Sequence, residues 1–246
     1  MPPPARVLVT HATEFLGKAT TSALLQSLPA SKLFCQDARF ADEGERSAFV
    51  DGLDVSEDRL EFISHQDVGK IAEAVQFDVD ILVNNTAYPA VRRKFHDIPR
   101  EEFVQTLDAL TVFPFELTAK LLPAMRERKR GKVIFVTSAT AFHGLPNYAS
   151  YAIARGATNA MALTLAKEVG PDNICVNAVC PNFVESETYF PKRLRDDPKI
   201  LAKITKPIPL GRLAKPHEPA DLIAFLASSK ADYITGQIMP FAGGWA

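Results

Sequence analysis

The sequence has little that would indicate an unusual compartment or a charged macromolecular partner. Its three cysteines, Cys35, Cys175 and Cys180, are widely spaced and form no metal-ligand pattern, so we expect reduced thiols and no metal site. Lys and Arg (28) nearly balance Asp and Glu (29), and a net charge of −1 gives no electrostatic reason to bind nucleic acid or an anionic membrane. No apolar run approaches the ~20 residues that span a bilayer. The first residues, MPPPAR, lack the apolar segment of a signal peptide, so we expect a cytoplasmic protein.

Internal repeats, low-complexity segments and linkers are also lacking, so we expect one domain over residues 1–246. Short apolar runs alternate with longer helical patterns, and strands that are apolar along their length are buried on both faces. This order predicts an α/β fold: a Rossmann-like, doubly wound, seven-stranded parallel sheet in a three-layer αβα sandwich. The predicted strands are Arg6–Thr10, Lys32–Gln36, Leu60–Ser64, Asp80–Asn84, Lys132–Ser138, Ile174–Val179 and Gly236–Pro240. The predicted helices are Gly17–Leu28, Ala41–Val50, Asp67–Gln76, Arg100–Arg128, Tyr148–Val169 and Pro216–Ser228.

Two segments stand out from this regular pattern. Pro114 lies inside the long helical stretch Arg100–Arg128 and is expected to kink it. Pro181–Pro198 has neither strand nor helix periodicity and follows the carboxyl end of a strand, where ligands bind in such sheets. We therefore predict that Pro181–Pro198 is a binding loop.

Glycine is scarce in the first strand-to-helix turn. A dinucleotide site needs several glycines there so that the backbone can approach the pyrophosphate. Here only Gly17 is suitably placed, while His11 and Phe15 are bulky and Glu14 adds a negative charge. The turn therefore disfavours a dinucleotide on steric and electrostatic grounds, and we expect no cofactor. Asp37, at the end of the second strand, is either a ribose-binding acid or, as we favour, a surface loop aspartate.

Three polar residues have a spacing that suits proton transfer. Ser138 ends a strand, Tyr151 follows 12 residues further on, and Arg155 lies one helical turn beyond Tyr151 on the same face. A tyrosine is a poor base near neutral pH, but an adjacent guanidinium, which holds its charge, favours the phenolate. We predict that these residues transfer a proton at an alcohol, with Ser138 bonded to the substrate oxygen.

These residues also carry a family resemblance over essentially the whole chain. Ser138 and Tyr151, together with the Asn84-Asn85 pair and the segments 233–237 and 243–244, resemble the short-chain dehydrogenase/reductase superfamily. Members of that superfamily have a lysine where this chain has Arg155, and a glycine-rich turn where it has Thr10-x4-Phe15-x-Gly17. Both departures resemble halohydrin dehalogenases, a cofactor-free branch of the superfamily.

The resemblance implies a mechanism and a set of site residues. Tyr151, deprotonated with help from Arg155, takes the hydroxyl proton of a vicinal halohydrin while Ser138 holds the oxygen, and ring closure to an epoxide expels halide. In reverse, azide, cyanide or nitrite opens an epoxide. The halide or nucleophile pocket is expected at Phe15, Pro181, Asn182, Phe183, Val184 and Phe190, with the amides of Phe183 and Val184 as halide donors. Substrate contacts are expected at Thr140, Phe142, Leu145, Tyr88 and Pro89. By resemblance alone we expect a homotetramer.

Two other functions are compatible with the sequence. One is an NAD(P)H-dependent carbonyl reductase that tolerates the unusual turn, and the other is a non-catalytic binding protein that keeps the reductase framework. Two further residues have open roles: His143 is interpreted as a solvated loop side chain, and Trp245 either anchors the C-terminus or reaches a neighbouring subunit.

Overall fold

Seven parallel strands form a single sheet in the order β3-β2-β1-β4-β5-β6-β7 in the computed structural model, which describes residues 5–53 and 57–246. The strands are β1 Arg6–Val9, β2 Lys32–Gln36, β3 Leu60–Ile63, β4 Ile81–Asn84, β5 Gly131–Val136, β6 Ile174–Pro181 and β7 Ile238–Phe241. The helices are α1 Gly17–Ser27, α2 Glu43–Val50, α3 Val68–Ala74, α4 Arg100–Leu107, α5 Phe113–Glu127, α6 Thr140–His143, α7 Ala149–Val169, α8 Lys192–Arg195, α9 Pro198–Thr205 and α10 His217–Ala227. The predicted α/β fold and seven-stranded parallel sheet are confirmed.

The strands are apolar along their length because each face of the sheet packs against helices. In β1, Val7 and Val9 point toward a core that includes α1 and α10, while Leu8 points to the opposite core, which includes α3, α5 and α7. Chain order reverses at β1, which pairs with both β2 and β4. A crevice therefore opens beyond the carboxyl ends of β1 and β4, the place where doubly wound sheets bind ligands.

Pro114 does more than bend the predicted helix Arg100–Arg128. That stretch forms α4 and α5, joined by a π-helical segment, Asp108–Val112, with Pro114 in the first turn of α5. Proline has no amide hydrogen to donate to the carbonyl four residues earlier, which belongs to Leu110. The hydroxyl of Thr158, on α7, donates to that carbonyl over 2.8 Å. The carbonyl that has no amide partner at Pro114 thus accepts a hydrogen bond from a side chain of the neighbouring helix.

The predicted binding loop is partly helical. Residues 182–191 are irregular, but α8 lies within the predicted loop and α9 begins at its last residue, Pro198. Asp197 caps α9 by accepting bonds from the amides of Lys199 and Ile200. Residues 182–191 are therefore the irregular part of the segment that can shape a site.

The structure also bears on the expectations about cysteine thiols and membrane-spanning helices. Cys35 and Cys180 are buried, and burial raises their thiol pKa values to about 12 and about 11. No helix within residues 5–53 and 57–246 is long and apolar enough to cross a membrane.

Candidate active site

The turn after β1 is closed tightly around Gly17. A Cβ placed on Gly17 would lie 2.3 Å from the carbonyl oxygen of Ala12 and 2.6 Å from its carbonyl carbon. Contacts this short with backbone cannot be relieved by a rotamer change. Gly17 is therefore required for the close approach of α1 to the turn, whether or not a phosphate is bound.

Asp37 is not the surface loop aspartate that we favoured from the sequence. Its carboxylate is buried and accepts bonds from the amide and hydroxyl of Thr13, at 3.1 and 2.7 Å, and from the amide of Arg39 at 3.0 Å. These donors belong to the first turn and to the segment after β2. Asp37 therefore fastens the turn to β2.

The remaining turn residues fill the place of a diphosphate. His11 and Phe15 have φ angles of 48° and 44°, a left-handed conformation that is uncommon for bulky residues. Glu14 lies between two partners, since Arg39 Nη2 pairs with Oε1 at 2.6 Å and Thr188 Oγ1 donates to Oε2 at 3.1 Å. The side-chain amide of Asn85 donates to the carbonyls of His11 and Glu14, both at 3.0 Å. The residues present do not fit a nicotinamide dinucleotide.

The contact between Glu14 and Thr188 divides the crevice into two cavities. On the far side from the catalytic residues, a cavity of about 570 Å³ is lined by the ends of β2 and β4 and includes His11, Gln36 and Asp37. Burial lowers the pKa of His11, although Asp37 and Glu14 act in the opposite direction, so its imidazole is neutral near pH 7. The other cavity holds the predicted catalytic groups.

This second cavity, the catalytic cavity, measures about 270 Å³ and lies beyond the ends of β4, β5 and β6. That volume is at the lower end for ligand pockets, which favours a small substrate. Ten of the residues predicted for the site line it: Phe15, Pro89, Ser138, Thr140, Leu145, Tyr151, Pro181, Asn182, Val184 and Phe190. Its other lining residues are Ala90, Tyr148, Thr188 and Tyr189.

The hydroxyl oxygen of Ser138 accepts two hydrogen bonds, which leaves its O–H free to donate one. The amide and the hydroxyl of Thr140 both donate to Ser138 Oγ, over 3.2 and 3.0 Å. Ser138 is buried at the end of β5, so its O–H is held beside the cavity rather than in bulk water. A hydroxyl in this state is suited to donate to a substrate oxygen.

Arg155 lies behind Tyr151 rather than in the wall of the cavity. It is fully buried, with its guanidinium carbon 5.1 Å from the centre of the Tyr151 ring. No carboxylate within the described ranges forms an ion pair with it, so its charge is compensated by neutral groups. Burial acts to lower the pKa of Arg155, but the phenols of Tyr151 and Tyr189 raise it above the ordinary value. The guanidinium therefore stays charged and favours negative charge on a neighbouring phenol.

Three predicted contact residues lie outside the catalytic cavity. Phe142 is half exposed, and Tyr88 lines the larger cavity instead. The Phe183 ring packs against Phe190 and Trp245, and its amide donates to the side chain of Asn182 over 2.9 Å, so it is not free to bind a halide. The amide of Val184 remains a candidate halide donor, because the pairing of this strand-like segment with Ala214 uses the carbonyl of Phe183 and the amide of Glu185.

Tyr189 is one of the four lining residues that sequence reasoning missed. Its ring meets Phe15 edge to face at 5.1 Å and Tyr151 at 6.0 Å, and its hydroxyl accepts a bond from Arg155 Nη2 over 3.4 Å. The only sequence signal was its position beside Phe190 in the predicted binding loop. Tyr189 therefore connects the loop to two of the three predicted catalytic residues, Tyr151 and Arg155.

His143 and Trp245 lie outside the cavity and against each other. Their ring centroids are 4.0 Å apart, and the Trp245 indole also meets Phe183 at 5.2 Å. His143 is exposed, as we interpreted it. Trp245 thus fastens the C-terminus to residues of its own chain.

Comparison with known proteins gives a consistent family. Residues 39–246 match the family model described as enoyl-(acyl carrier protein) reductase. An uncharacterized oxidoreductase of Bacillus subtilis is 35% identical over 187 residues, covering 74% of each chain. The 3-oxoacyl-[acyl-carrier-protein] reductase of Thermotoga maritima is 30% identical over 96% of both chains.

Solved structures add two dehalogenating enzymes. One, described as a dehalogenation enzyme, is 37% identical with a TM-score of 0.91, covering 99% of this chain and 98% of the other. The second, a halohydrin dehalogenase bound to ethyl (2S)-oxiran-2-ylacetate, is 34% identical with a TM-score of 0.88, covering 98% and 96%. A structure described as ElxO with NADP bound is also similar, with a TM-score of 0.87, but at 20% identity it shows the fold alone.

Proposed function

The chain belongs to the short-chain dehydrogenase/reductase superfamily, and from this premise we propose that it is a cofactor-independent halohydrin dehalogenase. The proposed reaction converts a vicinal halohydrin into an epoxide and a halide ion. In the reverse direction a small anion such as azide, cyanide or nitrite opens the epoxide. The proposal depends on one observation: the buried guanidinium of Arg155 lies behind Tyr151, with no carboxylate pairing with it in the described part of the chain.

In this mechanism Tyr151 is the base. Arg155 favours its phenolate form, because a positive charge in a poorly solvated site attracts a neighbouring negative charge more strongly than it would in water. Two of the five N–H groups of Arg155 donate to backbone carbonyls, those of Val136 and Thr86, so the guanidinium is held by the ends of β5 and β4. The base and its charged partner are thus fixed before substrate arrives.

Ser138 orients the substrate. Its O–H donates to the substrate hydroxyl oxygen while the phenolate of Tyr151 takes the proton from that oxygen. The oxygen then attacks the adjacent carbon from the side opposite the halogen, the carbon–halogen bond breaks, and halide leaves with the bonding electrons. Because this displacement needs three atoms in line, the small cavity contributes by restricting the substrate to one orientation.

The halide is proposed to lie between Phe15 and the loop after β6. The positive edges of aromatic rings and an unpaired backbone amide suit a polarisable anion, and Phe15, Tyr189 and the Val184 amide supply these groups. Glu14 does not oppose the anion directly, since both its carboxylate oxygens are bonded to Arg39 and Thr188.

A halide-release assay tests the proposal. With 1,3-dichloro-2-propanol and no nicotinamide coenzyme, we expect wild type to release chloride and Tyr151→Phe to lose at least about a hundredfold in kcat, because general base catalysis contributes 10²–10⁴-fold. Tyr233→Phe is the matched control, since Tyr233 is fully exposed. Turnover by Tyr151→Phe at the wild-type rate would show that Tyr151 is not the base.

The second candidate is a nicotinamide-dependent carbonyl reductase, favoured by the names of the sequence relatives. Fluorescence titration with NADPH separates the two functions. We expect no saturable binding at micromolar concentrations, because the ring of Phe15 and the carboxylate of Glu14 occupy the turn where a diphosphate would lie. Saturable micromolar binding would favour the reductase and contradict the dehalogenase.

A further inference from the structure

The guanidinium of Arg155 is held by two side-chain hydroxyls as well as by backbone. Nη1 donates to Thr86 Oγ1 over 3.1 Å and Nη2 donates to the Tyr189 hydroxyl over 3.4 Å. The backbone carbonyls of Val136 and Thr86 take the other two terminal N–H groups. Nε is the nitrogen left without a partner among the described residues. The orientation of the guanidinium therefore depends on these two hydroxyls together with the two backbone carbonyls.

Tyr189 differs from the other partners because it comes from the loop that covers the cavity. Thr86 and Val136 belong to the rigid ends of β4 and β5, whereas Tyr189 follows β6 by eight residues. Its hydroxyl donates to the carbonyl of Tyr88 over 3.1 Å and accepts from the amide of Tyr88 over 3.4 Å. One phenol thus joins the loop, the segment after β4 and the guanidinium.

The Tyr189 hydroxyl stays protonated under working conditions. Burial raises the pKa of Tyr189 well above its ordinary value, and the neighbouring Tyr151 acts in the same direction. It is therefore a neutral partner that accepts from Arg155 without cancelling the charge. A phenolate at this position would instead compete with Tyr151 for the guanidinium.

We infer that Tyr189 is a positioning residue, whose hydroxyl fixes the orientation of Arg155 and so sets how readily Tyr151 ionises. The inference rests on the proposed function, in which Tyr151 is the base. It assigns the loop a second task besides closing the cavity: the loop must be in place before Arg155 is aligned. A misplacement of about 1 Å near reacting groups can cost about a hundredfold in rate, so one hydroxyl bond is enough to matter.

The test uses Tyr189→Phe, which keeps the ring against Phe15 and removes only the hydroxyl. We expect kcat for chloride release to fall about tenfold while KM stays within about twofold. The acid limb of the kcat/KM profile is expected to move to higher pH. Tyr233→Phe, at an exposed position, is the matched control and leaves all three unchanged. A rise in KM with kcat and the acid limb unchanged would overturn the inference.

A double-variant comparison shows whether the effect passes through Arg155. In an Arg155→Lys background the forked guanidinium is gone, so adding Tyr189→Phe is expected to change kcat by less than about twofold. If Tyr189→Phe costs the same factor in both backgrounds, Tyr189 acts independently of Arg155 and the inference is wrong.

A spectroscopic titration separates this inference from the proposed function. Ultraviolet difference absorbance follows phenolate formation, and the step that disappears from the titration curve in Tyr151→Phe identifies the ionisation of Tyr151. In Tyr189→Phe that step is expected at higher pH, and an unchanged step would refute the role of Tyr189. If the step moves but wild type releases no halide, the proposed function fails while the positioning role stands.

Discussion

Replacing Asp37 by asparagine tests whether the first turn is held by the carboxylate that we had assigned to the surface. Asp37 accepts three bonds: two from Thr13 on one oxygen and one from the Arg39 amide on the other. Asparagine keeps one acceptor oxygen, so its NH₂ group faces the amide of either Thr13 or Arg39, and that amide is left without an acceptor. A lost bond to a charged group and an unpaired buried donor together cost about 2–3 kcal/mol.

The assay is thermal unfolding with a matched variant. For a chain of this length, that loss corresponds to a fall in Tm of roughly 4–12 °C. Asp67→Asn is the control, because Asp67 is an exposed helix cap that accepts one bond from the amide of Lys70, and asparagine caps helices about as well as aspartate. Its Tm is expected to change by no more than about 1–2 °C. Equal shifts for the two variants would refute the argument that Asp37 fastens the turn.

Two further predictions concern stability. Gly17→Ala is expected to lower Tm by more than about 5 °C, since overpacking against backbone costs 1–3 kcal/mol or more. Gly170→Ala is the control, because an added Cβ there meets no atom within 4 Å. Equal Tm values for the two variants would contradict the close approach at Gly17. Arg212 lowers the pKa of Glu218 to about 2 in the folded protein, whereas the pKa in the unfolded chain is about 4.3. The ion pair therefore stabilises the fold above about pH 4.3, and this stabilisation is lost as the pH falls through the folded-state pKa. Glu218→Gln should therefore lower Tm most above about pH 5, and the difference should shrink as the pH falls toward 2. A pH-independent difference would rule out the ion pair, and Glu127→Gln, at an exposed position, serves as the control.

The sheet and most of the catalytic cavity were predictable because their signals are local. Apolar runs mark the strands, right-handed crossovers give a doubly wound sheet, and the spacing of Ser138, Tyr151 and Arg155 places them at a strand end and on one helix face. The structure brings these elements together as expected.

Contacts between distant segments were not predictable. The bond between Tyr189 and Tyr88 joins residues 101 positions apart, and nothing in either local pattern shows which phenol will meet the guanidinium. Asp37 was misjudged for the same reason: a lone aspartate after a strand resembles a solvated residue until Thr13 is found beside it. The π-helical segment depends on the hydroxyl of Thr158, on another helix.

The division of the crevice into two cavities also limits what a single substitution can change. The barrier between the two cavities has separately anchored parts: Phe15 rests on Tyr189, Glu14 is tied to Arg39 and Thr188, and Asp37 is tied to Thr13. Removing any one of these side chains leaves the others in place, so no single substitution is expected to join the two cavities into one continuous groove. A substitution at any one of these positions is therefore expected to alter the shape of the smaller cavity without joining it to the larger one.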